Sequence, residues 1–140
     1  GAKIYVDYAH TPAALTAAIF SLRELTENNI ILVFGCGGER DKLKRSVMGG
    51  IASEYADFVI VTDDNPRNED PEEIRSQIIN NCNDALEISD RAEAIKKGIE
   101  TGKKGDSIII AGKGHEKYQV IGQDTIPFSD QETVRNILGK

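Results

Sequence analysis

Residues 107–116 read SIIIAGKGHE, in which an apolar run passes directly into glycines and charged side chains. Consecutive isoleucines between polar neighbours are typical of a strand that helices cover on both faces, as in a parallel sheet. Similar runs occur at residues 4–6, 30–34 and 58–62, and helical patterns lie between them. This alternation predicts an α/β fold with a mostly parallel sheet of about six strands flanked by helices.

Four of the predicted helices begin at recognisable N-caps, each followed by Pro or, three positions later, by Glu. The four cap residues are Thr11, Asp70, Asp90 and Ser129. A fifth helix is predicted around residues 47–55, where the adjacent glycines 49 and 50 indicate close packing on the sheet. A weak strand at residues 86–88 and a hairpin within residues 118–128 complete the pattern.

The composition excludes several classes of protein. With 140 residues, of which 39% are apolar and 29% charged, we expect one ordered domain, cut from a longer protein because a strand begins near residue 3. The net charge of −6 argues against nucleic acid as a partner. No apolar run approaches the roughly 20 residues of a membrane span, so we expect no membrane partner. Cys36 and Cys82 are too few for a disulfide framework, and we expect reduced thiols in a cytoplasmic protein.

Segments of unusual composition follow each of the four main predicted strands directly. They lie at residues 7–11, 35–41, 63–70 and 112–116. The carboxyl ends of parallel strands share one edge of a sheet, and ligands bind in the crevice there. The four segments are therefore predicted to line one pocket.

The segment 35–41 reads GCGGERD and matches a dinucleotide-binding fingerprint only in part, because Arg40 stands at the last glycine position. No Gly-Lys-Ser/Thr follows, so it is not a phosphate-binding P-loop either. We expect the glycines to turn the backbone tightly and to present Arg40 at the strand end. Cys36 is interpreted as a small buried residue, with a nucleophile as the alternative. The basic residues 42–45 are interpreted as a solvated face, with an anion contact as the alternative.

The segment 63–67 reads DDNPR and offers an acceptor, an amide and a planar cation in Asp64, Asn65 and Arg67. The alternative is a polar turn before the next helix, and Asp63 is interpreted as a turn residue. Both histidines of the chain, His10 and His115, fall in segments that follow strands. His115 fits a site residue or a solvated loop histidine, and neither histidine has a second ligand at metal-binding spacing.

In this order and spacing, the segments 7–12, 35–41, 64–67 and 112–116, together with DRAEAI at 90–95, resemble the C-terminal domain of the Mur ligases. The resemblance covers essentially the whole chain; each segment is moderately specific and the four together are highly specific. It implies that residues 1–140 form a Rossmann-like domain that binds an amino acid and closes over the nucleotide. The family's N-terminal UDP-sugar domain and central ATPase domain lie outside the chain.

The resemblance is greatest to members that add meso-diaminopimelate to UDP-MurNAc-L-Ala-D-Glu through an acyl phosphate, in peptidoglycan precursor synthesis. ATP and Mg²⁺ are implied as cofactors held mainly by the central domain, so no catalytic residue is assigned here and the isolated chain is expected to be inactive. The matched diaminopimelate-binding positions are Arg40, Asp64, Asn65, Arg67, Gly112 and Glu116. Asp7 and His10 match positions on the nucleotide and phosphate side of the cleft.

The implied ligand suits these side chains, because the distal end of diaminopimelate carries both an ammonium and a carboxylate. Arg67 with Asn65 suits that carboxylate, Asp64 with Glu116 suits the ammonium, and Arg40 suits the carboxylate beside the reacting amine. Lysine lacks the distal carboxylate, so binding it would leave Arg67 without a partner. A lysine-adding ligase and a non-catalytic module that binds small molecules remain alternatives. A dinucleotide-dependent oxidoreductase is disfavoured by the incomplete glycine fingerprint.

Overall fold

The computed structural model describes residues 1–139, in which strands and helices alternate along most of the chain. The elements are β1 (Lys3–Asp7), α1 (Pro12–Leu25), β2 (Ile30–Phe34), α2 (Leu43–Tyr55), β3 (Phe58–Val61), α3 (Pro71–Ile79), β4 (Leu86–Glu87), α4 (Arg91–Thr101), β5 (Ser107–Ala111), β6 (Tyr118–Ile121), β7 (Asp124–Pro127) and α5 (Asp130–Leu138). No helix among them combines the length and the apolar character that crossing a membrane requires.

The predicted α/β fold is confirmed. Five parallel strands form the main sheet in the order β1-β5-β2-β3-β4, and β6 pairs with β7 in a separate antiparallel hairpin. The sheet therefore has five strands where the sequence predicts about six. Between β2 and β5 the strand order reverses, because the chain runs outward from β2 through β3 to β4 and then returns to insert β5. Such a reversal opens a crevice at the carboxyl ends of the strands.

Helices cover both faces of this sheet. Leu15 of α1, Met48 of α2 and Ile78 of α3 pack against one face, and Ile95 of α4 with Val134 of α5 packs against the other. Every residue of β2 and β5 is buried as a result. Burial on two faces is the physical reason why these strands are continuous in Ile, Leu and Val.

The predicted caps are all present, since Thr11, Asp70, Asp90 and Ser129 each accept a backbone N–H with the side chain. Two predictions about α2 are wrong. Arg45 is only 1% exposed although the basic run was expected to face solvent, because α2 begins at Leu43 and turns Arg45 inward with Met48 and Ala52. Gly49 allows contact with α3, not with the sheet: a Cβ there would lie 2.1 Å from the Ile78 carbonyl oxygen.

At the amino ends of the strands, which we call the amino edge, two aspartates are occupied by backbone groups. Asp57 accepts the Ile30 N–H at 2.8 Å and pairs with Arg23 at 2.9 Å. Asp106 accepts the N–H groups of Lys103 at 2.9 Å and of Asn29 at 3.0 Å. These bonds, the one from Lys103 first, lower the pKa of Asp106 below its usual value.

Candidate functional site

The carboxyl ends of β1, β2, β3 and β5, which we call the carboxyl edge, surround a cavity of about 340 Å³. All four segments that follow these strands contribute to its wall, so the predicted convergence is present. The lining includes all six positions matched to diaminopimelate binding, namely Arg40, Asp64, Asn65, Arg67, Gly112 and Glu116. His10 also lines the cavity, whereas Asp7 is absent from its wall.

The loops after β2 and β3 are in direct backbone contact. The Gly38 N–H donates to the Asn65 carbonyl at 2.7 Å. A Cβ at Gly38 would lie 1.8 Å from the Pro66 carbonyl oxygen, so no other residue fits there without moving one of the loops. Glu39 follows with a φ of 55° and donates its N–H to the Glu69 carboxylate at 2.8 Å. This contact brings Arg40 and Arg67 to the same cavity although 27 positions separate them in the sequence.

Arg67 is held in an unusual backbone conformation. Its φ is 55°, which for a residue with a Cβ costs about 1 kcal/mol or more. Its N–H donates to the Val120 carbonyl at 3.0 Å, which joins this loop to the hairpin. Its Nη1 donates to the carbonyls of Gly38 at 2.9 Å and of Asn65 at 3.3 Å. Within residues 1–139 no carboxylate pairs with the guanidinium. Several N–H donors of Arg67 are therefore left for an anion in the cavity.

Arg40 of the β2 loop and Arg45 of the following helix α2 differ in their exposure and in their partners. Arg40 is exposed and its only hydrogen bond among the described residues is from Nη1 to the Glu39 carbonyl at 3.1 Å. Arg45 is buried, pairs with Glu69 at 2.8 Å and donates to the Gly37 carbonyl at 2.9 Å. Arg45 thus supports the loop from below, and Arg40 offers its charge to the cavity.

The cavity wall also includes two carboxylates, those of Asp64 and Glu116, which we call the acid pair. Asp64 is 7% exposed, and Gly112 makes room for its carboxylate: Gly112 has a φ of 119°, and a Cβ there would lie 2.7 Å from Asp64 Oδ2. The negative charge of Glu116 raises the pKa of Tyr8. Gly112 thus leaves space for the Asp64 carboxylate, and the acid pair brings negative charge to the cavity wall.

Sequence reasoning missed a buried lysine between these acids. Lys113 is 0% exposed, and its Nζ lies 2.9 Å from Asn65 Oδ1 and 3.5 Å from one oxygen of each acid. The alternating glycines on either side of Lys113 were the available signal, because Gly112 lets the backbone approach Asp64 of the β3 loop and Gly114 lets it approach Tyr8 of the β1 loop.

A second missed group lies beneath the cavity. Arg91 and Asp130 are both buried and form a bidentate pair, with Nε–Oδ1 at 2.7 Å and Nη2–Oδ2 at 2.8 Å. Arg91 also donates to the carbonyls of Asp63 and Ala111, both at 3.1 Å, which joins the ends of β3 and β5. The available signal was helical spacing, since Arg91 shares one face of α4 with Ala94, Ile95 and Gly98.

Asp7 and the two histidines lie at the end of β1 and in the loops after β1 and β5. The Asp7 carboxylate accepts the Ala9 N–H at 2.9 Å and its carbonyl accepts N–H groups from Gly112 and Gly114, so Asp7 shapes the loop after β1. His10 and His115 both lie against the Tyr8 ring, with centroids 4.8 and 6.5 Å away. No three metal-ligating side chains form a cluster in the part of the chain that the structure describes.

Cys36 lines the cavity without offering a nucleophile. It is 8% exposed, and its Sγ lies 3.8 Å from Met48 Sδ. Burial raises the pKa of Cys36 to about 12, so the thiol stays protonated at neutral pH. The interpretation of Cys36 as a small buried residue is confirmed.

Known proteins resemble this chain over most of its length. The model of the family described as "Mur ligase, glutamate ligase domain" matches residues 1–114. The UDP-N-acetylmuramoyl-L-alanyl-D-glutamate–2,6-diaminopimelate ligase of Rhizobium meliloti is 55% identical over 139 residues, which are 99% of this chain and 29% of that protein. The ligase of the same name from Agrobacterium fabrum is 54% identical over 140 residues, 100% of this chain and 29% of its own length.

Solved structures show the same fold. A structure of a UDP-N-acetylmuramoyl-L-alanyl-D-glutamate–2,6-diaminopimelate ligase superposes with a TM-score of 0.92 at 44% identity, over 97% of this chain and 29% of that one. A folylpolyglutamate synthase/dihydrofolate synthase from Yersinia pestis, complexed with AMPPNP and Mn ion, has a TM-score of 0.63 at 20% identity, over 78% and 25%. That second likeness shows the fold alone. The chain thus spans about 29% of the curated relatives named above, and it belongs to the Mur ligase family, as the glutamate ligase domain.

Proposed function

We propose that this chain is the C-terminal domain of a cytoplasmic, ATP-dependent ligase that adds meso-diaminopimelate to UDP-MurNAc-L-Ala-D-Glu, and that its cavity holds the diaminopimelate. The relatives that carry this name in two bacteria support the substrate. Independent support comes from the charges in the cavity, because Arg40 and Arg67, which have no carboxylate partner among residues 1–139, line it together with two carboxylates. N-terminal UDP-sugar and central ATPase domains would complete the enzyme.

The distal end of diaminopimelate is assigned to Arg67 and the acid pair. The ligand carboxylate would lie against the free N–H groups of Arg67, with the Asn65 amide as a second donor. Its ammonium would lie against Asp64 and Glu116, which share the cavity with Arg67. The single observation that carries the proposal is that Arg67, which has no carboxylate partner among residues 1–139, lines the same cavity as Asp64 and Glu116. A cation and two acids in one cavity complement a zwitterion and not a simple ammonium.

The reacting end of the amino acid is assigned to Arg40. This guanidinium is exposed and has no carboxylate partner among residues 1–139, so its charge is available to the carboxylate beside the reacting amine. Holding both ends of the ligand would orient that amine toward the activated carbonyl of the second substrate. Orientation of this kind is a large part of the rate gain in a reaction between two bound molecules.

Nucleotide chemistry is assigned to the missing central domain. ATP would supply the phosphoryl group that activates the carboxylate of the dipeptide substrate. The residues of this chain do not by themselves fit Mg–ATP, because the sequence has no P-loop and the described residues offer no cluster of three metal ligands. We assign His10 to the nucleotide side as part of the cavity wall, and Asp7 as the residue that shapes its loop.

The assignment of Arg67 can be tested in the complete ligase. Each amino acid is supplied with ATP and UDP-MurNAc-L-Ala-D-Glu, and the ratio of kcat/KM for diaminopimelate over lysine is measured. We expect R67A to lower this ratio by about tenfold or more, because only diaminopimelate uses the lost cation. R135A is the matched control, since Arg135 is exposed on α5 outside the cavity. A ratio that stays at the wild-type value in R67A would refute the assignment.

A further inference from the structure

A buried ammonium group contacts three residues of the proposed diaminopimelate site but does not itself line the cavity. Lys113 is 0% exposed and is absent from the cavity wall, whereas its neighbours Gly112 and Glu116 line it. Burial of an ammonium group costs several kcal/mol unless it is paired and hydrogen-bonded. The contacts that offset the cost of burying the Lys113 ammonium group therefore show which residues it positions.

All polar partners of the Lys113 ammonium are proposed ligands of diaminopimelate. Nζ lies 2.9 Å from Asn65 Oδ1, and 3.5 Å from both Asp64 Oδ1 and Glu116 Oε1. Two of these partners follow β3 and one follows β5, so a single cation joins the two loops. This arrangement fixes the positions of three side chains before any ligand arrives.

The contact with Asn65 also decides which way its amide faces. Asn65 Oδ1 accepts from Lys113 Nζ and from the Val120 N–H, both at 2.9 Å. Two donors identify this atom as the oxygen, so the NH2 group is the free end of the amide. A free NH2 group donates to a carboxylate, and with the opposite amide orientation Asn65 would present an acceptor and repel one.

Lys113 further sets the charge of the cradle formed by Arg67 and the acid pair. The formal charges of Asp64, Glu116 and Arg67 sum to −1, and Lys113 brings the sum to zero. The distal end of diaminopimelate is a zwitterion with no net charge, whereas that of lysine is a cation. A neutral cradle favours the zwitterion, and a cradle of charge −1 favours the cation.

We propose that Lys113 is a positioning residue that determines specificity: it turns the Asn65 amide toward the ligand carboxylate and neutralises one charge of the acid pair, so that the site selects diaminopimelate over lysine. The inference rests on the proposed function. It adds a residue that acts through Asn65, Asp64 and Glu116 and does not contact the ligand.

The test is K113M in the complete ligase, a change that keeps the length of the side chain and removes its charge. We expect the diaminopimelate:lysine ratio of kcat/KM to fall by about tenfold or more, with the loss appearing as a higher KM for diaminopimelate. K117M is the matched control, because Lys117 is four positions away, exposed and outside the site cavity. Its ratio should equal that of the wild type.

A role in stability alone would lower kcat/KM for both amino acids by the same factor and leave the ratio unchanged, and that result would overturn the inference. If wild-type enzyme shows no preference for diaminopimelate, the proposed function itself fails. If the wild type shows the preference, R67A removes it and K113M keeps it, only the role of Lys113 fails.

A second pair of variants answers the same question if K113M does not fold. Glu116→Gln removes one acid and leaves the cradle with a formal charge of +1, which repels the distal cation of lysine. K113M in the E116Q background returns that charge to zero and removes the repulsion. The ratio should still fall from E116Q to the double variant, measured as kcat/KM or, where turnover is too slow, as the ratio of dissociation constants. Equal ratios in E116Q and in the double variant would contradict the proposal.

Discussion

The two edges of the central sheet use the same residue types for different purposes. At the amino edge, Asp57 and Asp106 accept backbone N–H groups, and Asp57 also pairs with Arg23. At the carboxyl edge, Arg40 and Arg67 have no carboxylate partner within residues 1–139. These charged groups of the amino edge hold the fold together, whereas Arg40 and Arg67 keep N–H donors free next to other charged groups of the carboxyl edge that are paired.

Backbone strain separates the edges in the same way. The two described residues that have a Cβ and a positive φ are Glu39 and Arg67, and both lie in loops of the carboxyl edge. A protein tolerates such conformations where the surrounding contacts enforce them and where function benefits. The difference teaches that unused donors and strained backbone, found together, indicate a binding edge better than either charge or burial alone.

The largest expected effect comes from breaking the buried ion pair between Arg91 and Asp130, beneath the carboxyl edge. D130A leaves the buried Arg91 guanidinium without its carboxylate, so the free energy of unfolding should fall by about 3–5 kcal/mol. Urea unfolding of the chain measures it. D124A is the control, because Asp124 is exposed on β7, and its effect should stay within about 0.5 kcal/mol. A loss below about 1 kcal/mol in D130A would mean that the pair does not hold β3 and β5 together.

A smaller effect on stability is expected at the carboxyl edge, where the exposed Arg40 should matter for binding and not for folding. R40A removes an exposed guanidinium without a carboxylate partner, so the free energy of unfolding should change by less than about 0.5 kcal/mol. In the complete ligase, kcat/KM should fall by about tenfold or more for diaminopimelate and for lysine alike, because both carry the carboxylate next to the reacting amine. A changed preference between the two amino acids would place Arg40 at the distal end instead.

The smallest effect belongs to the amino edge and depends on pH. D106N removes the charge that two backbone N–H groups donate to, and at pH 7 it should lower the free energy of unfolding by about 1 kcal/mol. Because folding lowers the pKa of Asp106, its contribution is complete above the unfolded value of about 3.9 and is lost as the pH falls through the folded value. The free energies of unfolding of wild type and D106N should therefore converge as the pH falls through the folded pKa of Asp106.

D84N gives the matched control for that measurement, since Asp84 is exposed and makes no side-chain hydrogen bond among the described residues. Its difference from wild type should stay small at every pH. A gap between wild type and D106N that widens on acidification would contradict the role given to Asp106.

Local patterns sufficed to predict much of this molecule. The strands around residues 30–34 and 107–111 and the four side-chain caps follow from periodicity and capping, which depend on residues close in sequence. The shared cavity followed from the rule that parallel strands end at one edge. The six ligand positions came from family resemblance, and their roles stay predictions.

The buried charges escaped prediction because their partners are distant in the sequence. Arg91 meets Asp130 across 39 positions, and Lys113 meets Asn65 across 48. From sequence alone a charged residue is expected to be exposed, because its buried partner is unknown. The wrong expectation that Arg45 faces solvent has the same cause. The left-handed backbone of Arg67 depends on a bond to the hairpin and has no signature in the sequence around it.

The backbone contact between Gly38 and Pro66 has a consequence for any molecule that reaches both arginines. Because Gly38 has no side chain, the two backbones touch at this point, and neither loop can move toward the other there. An elongated ligand that engages Arg40 at one end and Arg67 at the other would meet a single rigid frame of fixed span. Compounds that carry both end groups at a different spacing would then have to adopt a strained conformation to reach both arginines. Small fragments of the ligand would bind far more weakly than the sum of their contacts suggests.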